Sequence, residues 1–181
     1  MESKQLSKKD IRSGKVDRCS FEKVKRNDIY IILDSLKCAH NIGTILRLSD
    51  ALLIKKVYIC GNTILPPNKK IRTASRGSEK WVPWEYRENI VELIKELKEK
   101  NIKIVSAEIA DKSIDYTELK CELPVAIVFG REFDGVSNEI LNLSDYVVHL
   151  PILGMTNSIN VSTCASVLMY YVYNKCVRNN K

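Results

Sequence analysis

Three short segments of the chain combine polar or charged side chains with glycines in patterns that suit ligand chemistry. They are residues 41–47 (NIGTILR), 128–137 (VFGREFDGVS) and 150–162 (LPILGMTNSINVS). Each segment lies near the end of an apolar run that predicts a strand. Because open parallel sheets bind their ligands at the carboxyl ends of their strands, these segments together form the candidate site.

The first segment carries an asparagine at the expected start of a helix and an arginine nearly two turns later. Asn41 and Arg47 could therefore both approach an anionic backbone. A helix cap at Asn41 and a solvated arginine explain the same residues equally well. The segment alone leaves both interpretations open.

The second segment contains glycines that suit a tight turn after a strand. Gly130 directly follows an apolar run, and Gly135 permits a turn before Ser137, which predicts the cap of a short helix. Backbone amides in such a turn can approach a ligand closely. Glu132 and Asp134 could hold a ribose or orient an arginine, although turn carboxylates beside a helix N-terminus are the more ordinary explanation.

The third segment places four polar residues in an otherwise apolar stretch that predicts burial. Buried polar groups must find hydrogen-bond partners. Helix capping by Ser158 would explain one of them but leaves Asn160 and Ser162 without a role. This segment therefore favours a functional interpretation. The four residues are Asn157, Ser158, Asn160 and Ser162.

The net charge of +7 is concentrated in two places: residues 1–26 carry +5 and residues 66–80 carry +4. Clustered positive charge suits a polyanion such as nucleic acid. A soluble surface with a basic disordered tail explains the charge equally well. The candidate nucleic-acid contacts in the second cluster are Lys69, Lys70, Arg72, Arg76 and Lys80.

The composition argues against several classes of protein. Six cysteines form no C-x-x-C pair and no cluster with the two histidines, so we expect no metal site and no disulfide framework. The glycines form neither G-x-G-x-x-G nor a Walker A loop, which argues against dehydrogenases and NTPases. The N-terminus lacks the apolar core of a secretory signal, and residues 150–174 contain too many polar interruptions to span a bilayer. We expect a cytoplasmic protein.

The elements that must position these segments follow from alternating apolar and amphipathic stretches, which predict an α/β domain with a mostly parallel sheet. Residues 1–27 are expected to form a basic extension and residues 28–181 the domain. Strands are predicted at 28–33, 56–60, 102–106, 125–129 and 146–150. Helices are predicted at 42–53, 87–100, 137–143 and 159–177, the last one buried on most sides. Residues 61–84 are predicted to be irregular.

Taken together, the three segments resemble the motifs of the TrmH (SpoU) branch of the SPOUT methyltransferases. The second is similar to F-G-x-E-x-x-G-L and the third to I-P-M-x-G-x-x-x-S-L-N-V-S, in the family's order, and the likeness covers most of residues 28–177. Residues 73–83 also resemble the loop after the family's second strand. Leu53 stands where the family usually has glycine, which predicts a modified turn.

The resemblance implies a parallel sheet flanked by helices and closed by a C-terminal trefoil knot, a homodimer, and bent S-adenosylmethionine held in the knot. The positions that match the cofactor site are Ala107, Gly130, Leu150 and Ile159. The positions that match the active site are Asn41, Arg47, Glu132, Ser158 and Asn160, with Arg47 reaching a site completed by the other subunit.

The implied reaction is methylation of a ribose 2′-hydroxyl in tRNA or rRNA, tRNA being slightly favoured. Because guanidinium groups stay protonated in proteins, we expect Arg47 to bind a phosphate and stabilise charge on the 2′-oxygen rather than to act as a free base. Two alternatives remain. One is a non-catalytic RNA-binding protein on the same fold, and the other is a small-molecule α/β enzyme.

Overall fold

The computed structural model describes residues 3–17, 20–120 and 122–179. Seven strands within those residues form one sheet in which all neighbouring strands are parallel. In chain order the strands are β1 (Asn27–Asp34), β2 (Ile54–Cys60), β3 (Trp84–Arg87), β4 (Lys103–Ala107), β5 (Ile114–Asp115), β6 (Val125–Phe129) and β7 (Tyr146–His149). Their order across the sheet is β3-β2-β1-β6-β4-β7-β5.

The described residues contain six α-helices. They are α1 (Lys8–Ser13), α2 (Ala39–Ala51), α3 (Lys69–Ser75), α4 (Ile90–Glu99), α5 (Asn138–Leu143) and α6 (Val161–Tyr173), and a π-helix (Asn174–Arg178) continues α6. The predicted α/β class is confirmed. The trefoil knot implied by the resemblance stays a prediction.

The sheet is covered on both faces because successive side chains of a strand point in opposite directions. In β1, Ile31 and Leu33 belong to a core that includes residues of α2 and α6, whereas Ile32 belongs to a second core with residues of α4 and α5. Strands buried on both faces are continuous apolar runs in the sequence. For this reason β1, β2, β4 and β6 were predicted, and the partly buried β7 was predicted from its apolar residues as well.

Residues 61–84 were predicted to be irregular, and this prediction is wrong. They contain α3, which Asn68 caps, a 3-10 turn (Ser78–Lys80), and the start of β3. The helix forms because it packs against α2. At Gly43 of α2, an added Cβ would lie 2.6 Å from the carbonyl oxygen of Ile71. A helix of seven residues that depends on this packing leaves no amphipathic pattern to detect.

Two other predicted helices need correction at their N-termini. Arg87 ends β3, and α4 begins after Asn89, whose side chain accepts hydrogen bonds from two backbone amides. The predicted cap at Asn41 is wrong, because α2 begins at Ala39 and Asn41 is buried within it.

The turn before β2 does not confirm the modification expected from Leu53. Leu53 has a φ of 49°, in the left-handed region that glycine adopts without steric cost. The chain therefore keeps the turn with a residue that fits it poorly.

The last helix differs from its prediction. It was expected to be buried on most sides, but in the single chain it buries one face and exposes another. The exposed face includes Val167 and Tyr170, with exposed fractions of 37% and 47%. This helix presents apolar surface that the chain itself does not cover.

The N-terminal residues pack little against the sheet. Helix α1 has a capping box formed by Ser7 and Asp10 but no buried residue. The Arg26 guanidinium, by contrast, donates to the carbonyl oxygens of Ile54 and Trp81 at 3.2 and 2.6 Å. The proposed domain boundary near residue 27 stays a prediction. No helix in the described parts of the chain has both the length and the apolar character needed to cross a membrane.

Candidate functional site

A cavity of about 400 Å³ opens at the carboxyl ends of β4, β6 and β7. Its volume is in the range of small-molecule sites, roughly 300–1,000 Å³. The cavity wall includes all four positions that the resemblance assigned to a cofactor, namely Ala107, Gly130, Leu150 and Ile159. Ser158, Asn160 and Glu132 also line it. The folded chain thus brings the second and third sequence segments to one place.

The loop after β6 is held in a tight turn that requires its glycines. The backbone groups of Arg131 and Gly135 hydrogen-bond to each other in both directions at 3.1 Å. A Cβ at Gly130 would lie 2.3 Å from the carbonyl carbon of Gly135, and Gly135 itself has a φ of 65°. The tight turn that the sequence predicted is therefore present, and close approach of its backbone amides to a ligand stays a prediction.

Glu132 anchors this loop to the N-terminus of α2. Its carboxylate accepts hydrogen bonds from the backbone amides of Lys37 and Cys38, both at 3.0 Å. These two amides lie just before the first residue of α2, which has no side-chain cap, so Glu132 holds the entry to the helix rather than capping it. Burial raises the pKa of Glu132, but these hydrogen bonds and one from Asn41 outweigh it, so the pKa lies below its ordinary value. Glu132 is an anion at neutral pH, with both oxygens engaged.

A chain of side chains connects all three segments. The Asn41 amide donates to Glu132 at 3.3 Å, and the Asn160 amide donates to the Asn41 oxygen at 3.2 Å. The Asn160 oxygen accepts from the backbone amide and hydroxyl of Ser162 at 2.9 and 2.7 Å, which caps α6. The alternative that Ser158 caps this helix is wrong.

The third segment is more exposed than the sequence predicted. Asn157, Ser158 and Asn160 are all exposed in the single chain, so burial does not force them to find partners. Leu153 and Met155 are almost completely exposed. The segment forms one wall of the cavity through Ser158 and Ile159.

Arg47 lies on the exposed side of α2 and is not among the residues that line the cavity. The predicted RNA-contacting residues are also exposed, on or just after α3, which packs against α2. The single chain therefore does not bring Arg47 to its own cavity. The five basic residues concerned are Lys69, Lys70, Arg72, Arg76 and Lys80.

Glu108 and Cys164 are among the cavity residues that sequence reasoning missed. The Glu108 carboxylate accepts hydrogen bonds from the backbone amides of Ile109 and Val136 at 2.9 and 2.7 Å. Burial, with a smaller effect of Glu108, raises the pKa of Cys164 to about 11, so this thiol is neutral at physiological pH. The position of Glu108 directly after β4 was the available signal. Cys164 carried none, because buried cysteines are common in cores.

An all-parallel sheet with a glycine-bounded cavity at its carboxyl edge defines an α/β protein with a small-molecule site. The model of the SpoU rRNA Methylase family matches residues 28–170. The chain belongs to this family.

Relatives and solved structures support the same assignment. A protein of Staphylococcus haemolyticus assigned to the TrmH family of tRNA/rRNA methyltransferases is 37% identical over 145 residues, which are 80% of this chain and 58% of that protein. The chain thus spans less than two thirds of this relative's length.

The TrmH/SpoU tRNA modifying enzyme of A. aeolicus is 28% identical and has a TM-score of 0.78, covering 90% of this chain and 83% of that one. An AdoMet-bound rRNA methyltransferase of Sinorhizobium meliloti, 22% identical, has a TM-score of 0.78 over 85% of this chain and 59% of that one. At that identity, the second likeness concerns the fold alone.

Proposed function

We propose that this chain transfers the methyl group of S-adenosylmethionine to a ribose 2′-hydroxyl in RNA. The observation that carries the proposal is the cavity, whose wall combines the glycine turn after β6 with Ser158 and Asn160 of the third segment. The Sinorhizobium meliloti relative is described with AdoMet bound. The A. aeolicus neighbour is described as a tRNA modifying enzyme, and the Staphylococcus haemolyticus relative as a TrmH family tRNA/rRNA methyltransferase.

The cavity fits the donor in size and in the character of its walls. Gly130, Leu150 and Ile159 would hold the adenosyl group, with Ala107 at the end of β4 closing one side. The Glu108 carboxylate in the same wall suits the positive charge of a sulfonium. When bound, the donor supplies an activated methyl carbon, so the protein's task is to align a 2′-oxygen behind it.

The hydrogen-bonded side chains around the cavity hold its loops in place and do not accept the proton of the 2′-hydroxyl. Glu132 is ionised but fully engaged with the N-terminus of α2, and Asn41 and Asn160 hold the loops together. Ser158, which is exposed and lines the cavity, is available to contact the substrate. In this proposal the 2′-proton passes to water or phosphate.

Arg47 is proposed to bind the phosphate next to the reacting ribose and to stabilise the developing negative charge on the 2′-oxygen. A guanidinium stays protonated, which argues against a free base. Arg47→Lys tests the role, because lysine retains the charge but not the two-pronged donor geometry. We expect methyl transfer to fall by about tenfold or more with donor binding intact. Near-wild-type turnover would contradict the need for a guanidinium, and loss of donor binding would mean that the role is misassigned.

A homodimer is proposed because Arg47 does not line the cavity of its own chain. A second copy packed over the exposed face of α6 would cover Val167 and Tyr170 and present its own Arg47 to this cavity. The basic residues on and after α3 would then add RNA-binding surface, and affinity for RNA should fall steeply with salt. A small-molecule enzyme would lack this salt dependence.

The experiment that tests the function is transfer of a labelled methyl group from S-adenosylmethionine to tRNA and to rRNA, both prepared without modification. Nuclease digestion followed by mass spectrometry identifies the product. We expect a 2′-O-methylated nucleotide in one RNA class, with tRNA the slightly favoured substrate. Calorimetric binding of RNA without any binding of the donor would instead support the non-catalytic RNA-binding protein.

A further inference from the structure

A second cavity, of about 570 Å³, lies at the carboxyl ends of β1, β2 and β3. Asp34 and Gly61 line it where β1 and β2 end, and Asn89 and Ile90 line it at the N-terminus of α4. Arg131, in the glycine turn after β6, lines this cavity as well as the first one. The two cavities are therefore neighbours that share one arginine.

Asp34 places a buried carboxylate oxygen in the wall of this cavity. The residue is only 1% exposed. One oxygen, Oδ1, accepts a hydrogen bond from the Ser35 hydroxyl at 2.9 Å. The other, Oδ2, has no hydrogen-bond partner in the described residues, and Arg131 Nε lies 3.5 Å away in a loose ion pair. Buried carboxylate oxygens normally accept hydrogen bonds. Oδ2 accepts none from the described residues, so it is free to accept one from an N–H or O–H group of a ligand.

The backbone of Arg131 is fixed while its side chain remains half exposed. Two backbone hydrogen bonds with Gly135 hold the residue, and 48% of the side chain is exposed. Its only carboxylate neighbours among the described residues are Asp34 and Asp134, at 3.5 and 3.9 Å. A guanidinium held this loosely keeps N–H groups for an oxyanion.

The other charged residues of the second cavity indicate which end of a ligand lies where. Arg87 is occupied by ion pairs with Glu85 and Glu96. Glu88 and Glu92 are exposed on the α4 side and disfavour an anion there. An anionic group is therefore expected at Arg131, and a hydrogen-bond donor at Asp34. A metal ion is not indicated, because no group of three potential ligand side chains occurs in the described residues.

We propose that this second cavity binds one nucleotide of the RNA substrate, beside the nucleotide that is methylated. Arg131 binds its phosphate. Asp34 Oδ2, which is covered in the free chain, accepts an N–H or O–H from its base or ribose once the half-exposed Arg131 side chain turns toward the phosphate. The position next to the donor cavity follows from the fact that Arg131 lines both. This assignment to RNA rests on the proposed function, whereas nucleotide binding itself does not.

The test is calorimetric titration of the four ribonucleoside 5′-monophosphates into the full chain, with the first cavity saturated by S-adenosylhomocysteine. We expect at least one nucleotide to bind, and its affinity to fall by about tenfold in Asp34→Asn and in Arg131→Gln, the loss of one charge-assisted contact. The matching nucleoside should bind more weakly than the nucleotide to wild type, and this difference should vanish in Arg131→Gln.

Asp28→Asn is the matched control. Asp28 lies near the amino end of β1, whereas Asp34 lies at its carboxyl end, and Asp28 forms an ion pair with Lys55 at 3.1 Å. The control variant should bind nucleotide like wild type. If Asp34→Asn does not fold, as shown by thermal unfolding, the exposed Arg131→Gln decides alone. Absence of nucleotide binding, or wild-type affinity in Arg131→Gln, would overturn the proposal.

Two further measurements separate this inference from the proposed function. A short single-stranded RNA should displace the mononucleotide, and failure to do so would overturn the assignment to RNA while leaving a free-nucleotide site. Methyl transfer is assayed independently. Nucleotide binding without any methyl transfer would contradict the proposed function and not the cavity.

Discussion

The two loops that form the walls of the first cavity differ in how tightly the chain holds them. The loop after β6 is closed by two backbone hydrogen bonds and anchored to α2 through Glu132. Residues 150–160, after β7, are mostly exposed, and Leu153 and Met155 reach exposed fractions of 97% and 100%. One wall is therefore preorganised, whereas the other offers apolar side chains that a donor, an RNA or a second copy would cover.

The largest effect is expected from Gly130→Ala, which should destroy the rigid wall. The new Cβ would lie 2.3 Å from the carbonyl carbon of Gly135, so the turn must open. Loss of several main-chain contacts should weaken donor binding about a hundredfold, as measured by calorimetry.

Gly154→Ala is the matched change in the exposed loop, where a new Cβ meets nothing within 4 Å. Its melting temperature should equal that of wild type, whereas that of Gly130→Ala should drop. Wild-type donor affinity in Gly130→Ala would remove the distinction between the two walls.

The exposed face of α6 gives the second prediction. Tyr170→Glu places a charge where a second copy is proposed to pack, so the chain should become monomeric in light scattering at micromolar concentration. Methyl transfer should be lost with it, because the partner's arginine no longer reaches the cavity. Tyr86→Glu, on the exposed part of β3, is the control and should leave the mass unchanged. A dimer that persists in Tyr170→Glu would show that the interface does not include the exposed face of α6.

The third prediction concerns the anchor of the rigid loop. Glu132→Ala removes the acceptor for two backbone amides just before α2 and should lower the free energy of unfolding by about 1–2 kcal/mol. Asp134→Asn, in the same loop but 76% exposed, should change it by less than about 0.5 kcal/mol. Equal effects in urea denaturation would show that Glu132 is not an anchor.

The fourth and smallest prediction is the pH dependence of that anchor. The pKa of Glu132 is lowered in the folded chain, since the amide hydrogen bonds outweigh burial, which raises it. A lowered folded pKa means that the contribution is present above the unfolded value, about 4.3, and is lost as the pH falls through the folded value. The stability difference between wild type and Glu132→Ala should therefore shrink below about pH 4. A difference that stays constant down to pH 2.5 would contradict the ionised anchor.

The same contrast explains what the sequence could and could not predict. Strands such as β1 and β6 were predicted because burial on both faces makes them continuous apolar runs. The tight turn was predicted because a glycine directly after a strand, followed by a second one before a helix cap, is typical of a turn. These glycines are Gly130 and Gly135. Helix α3 and strand β3 were missed because they are short and depend on tertiary packing, which leaves no periodic pattern.

At the site, the four positions that the resemblance assigned to a cofactor all line the cavity. It could not reveal how Glu132 is used, since its partners are backbone amides from a segment about 95 residues earlier in the chain. Asp34 was missed for a similar reason: its lack of a hydrogen-bond partner is a property of the folded cavity and not of the residue type.

The most direct test of the central claim is a crystal structure of the full chain grown with S-adenosylmethionine. We expect the donor in the first cavity, bent against the main chain at Gly130 and between Leu150 and Ile159. A cavity closed by side chains, or a donor bound elsewhere on the chain, would contradict it.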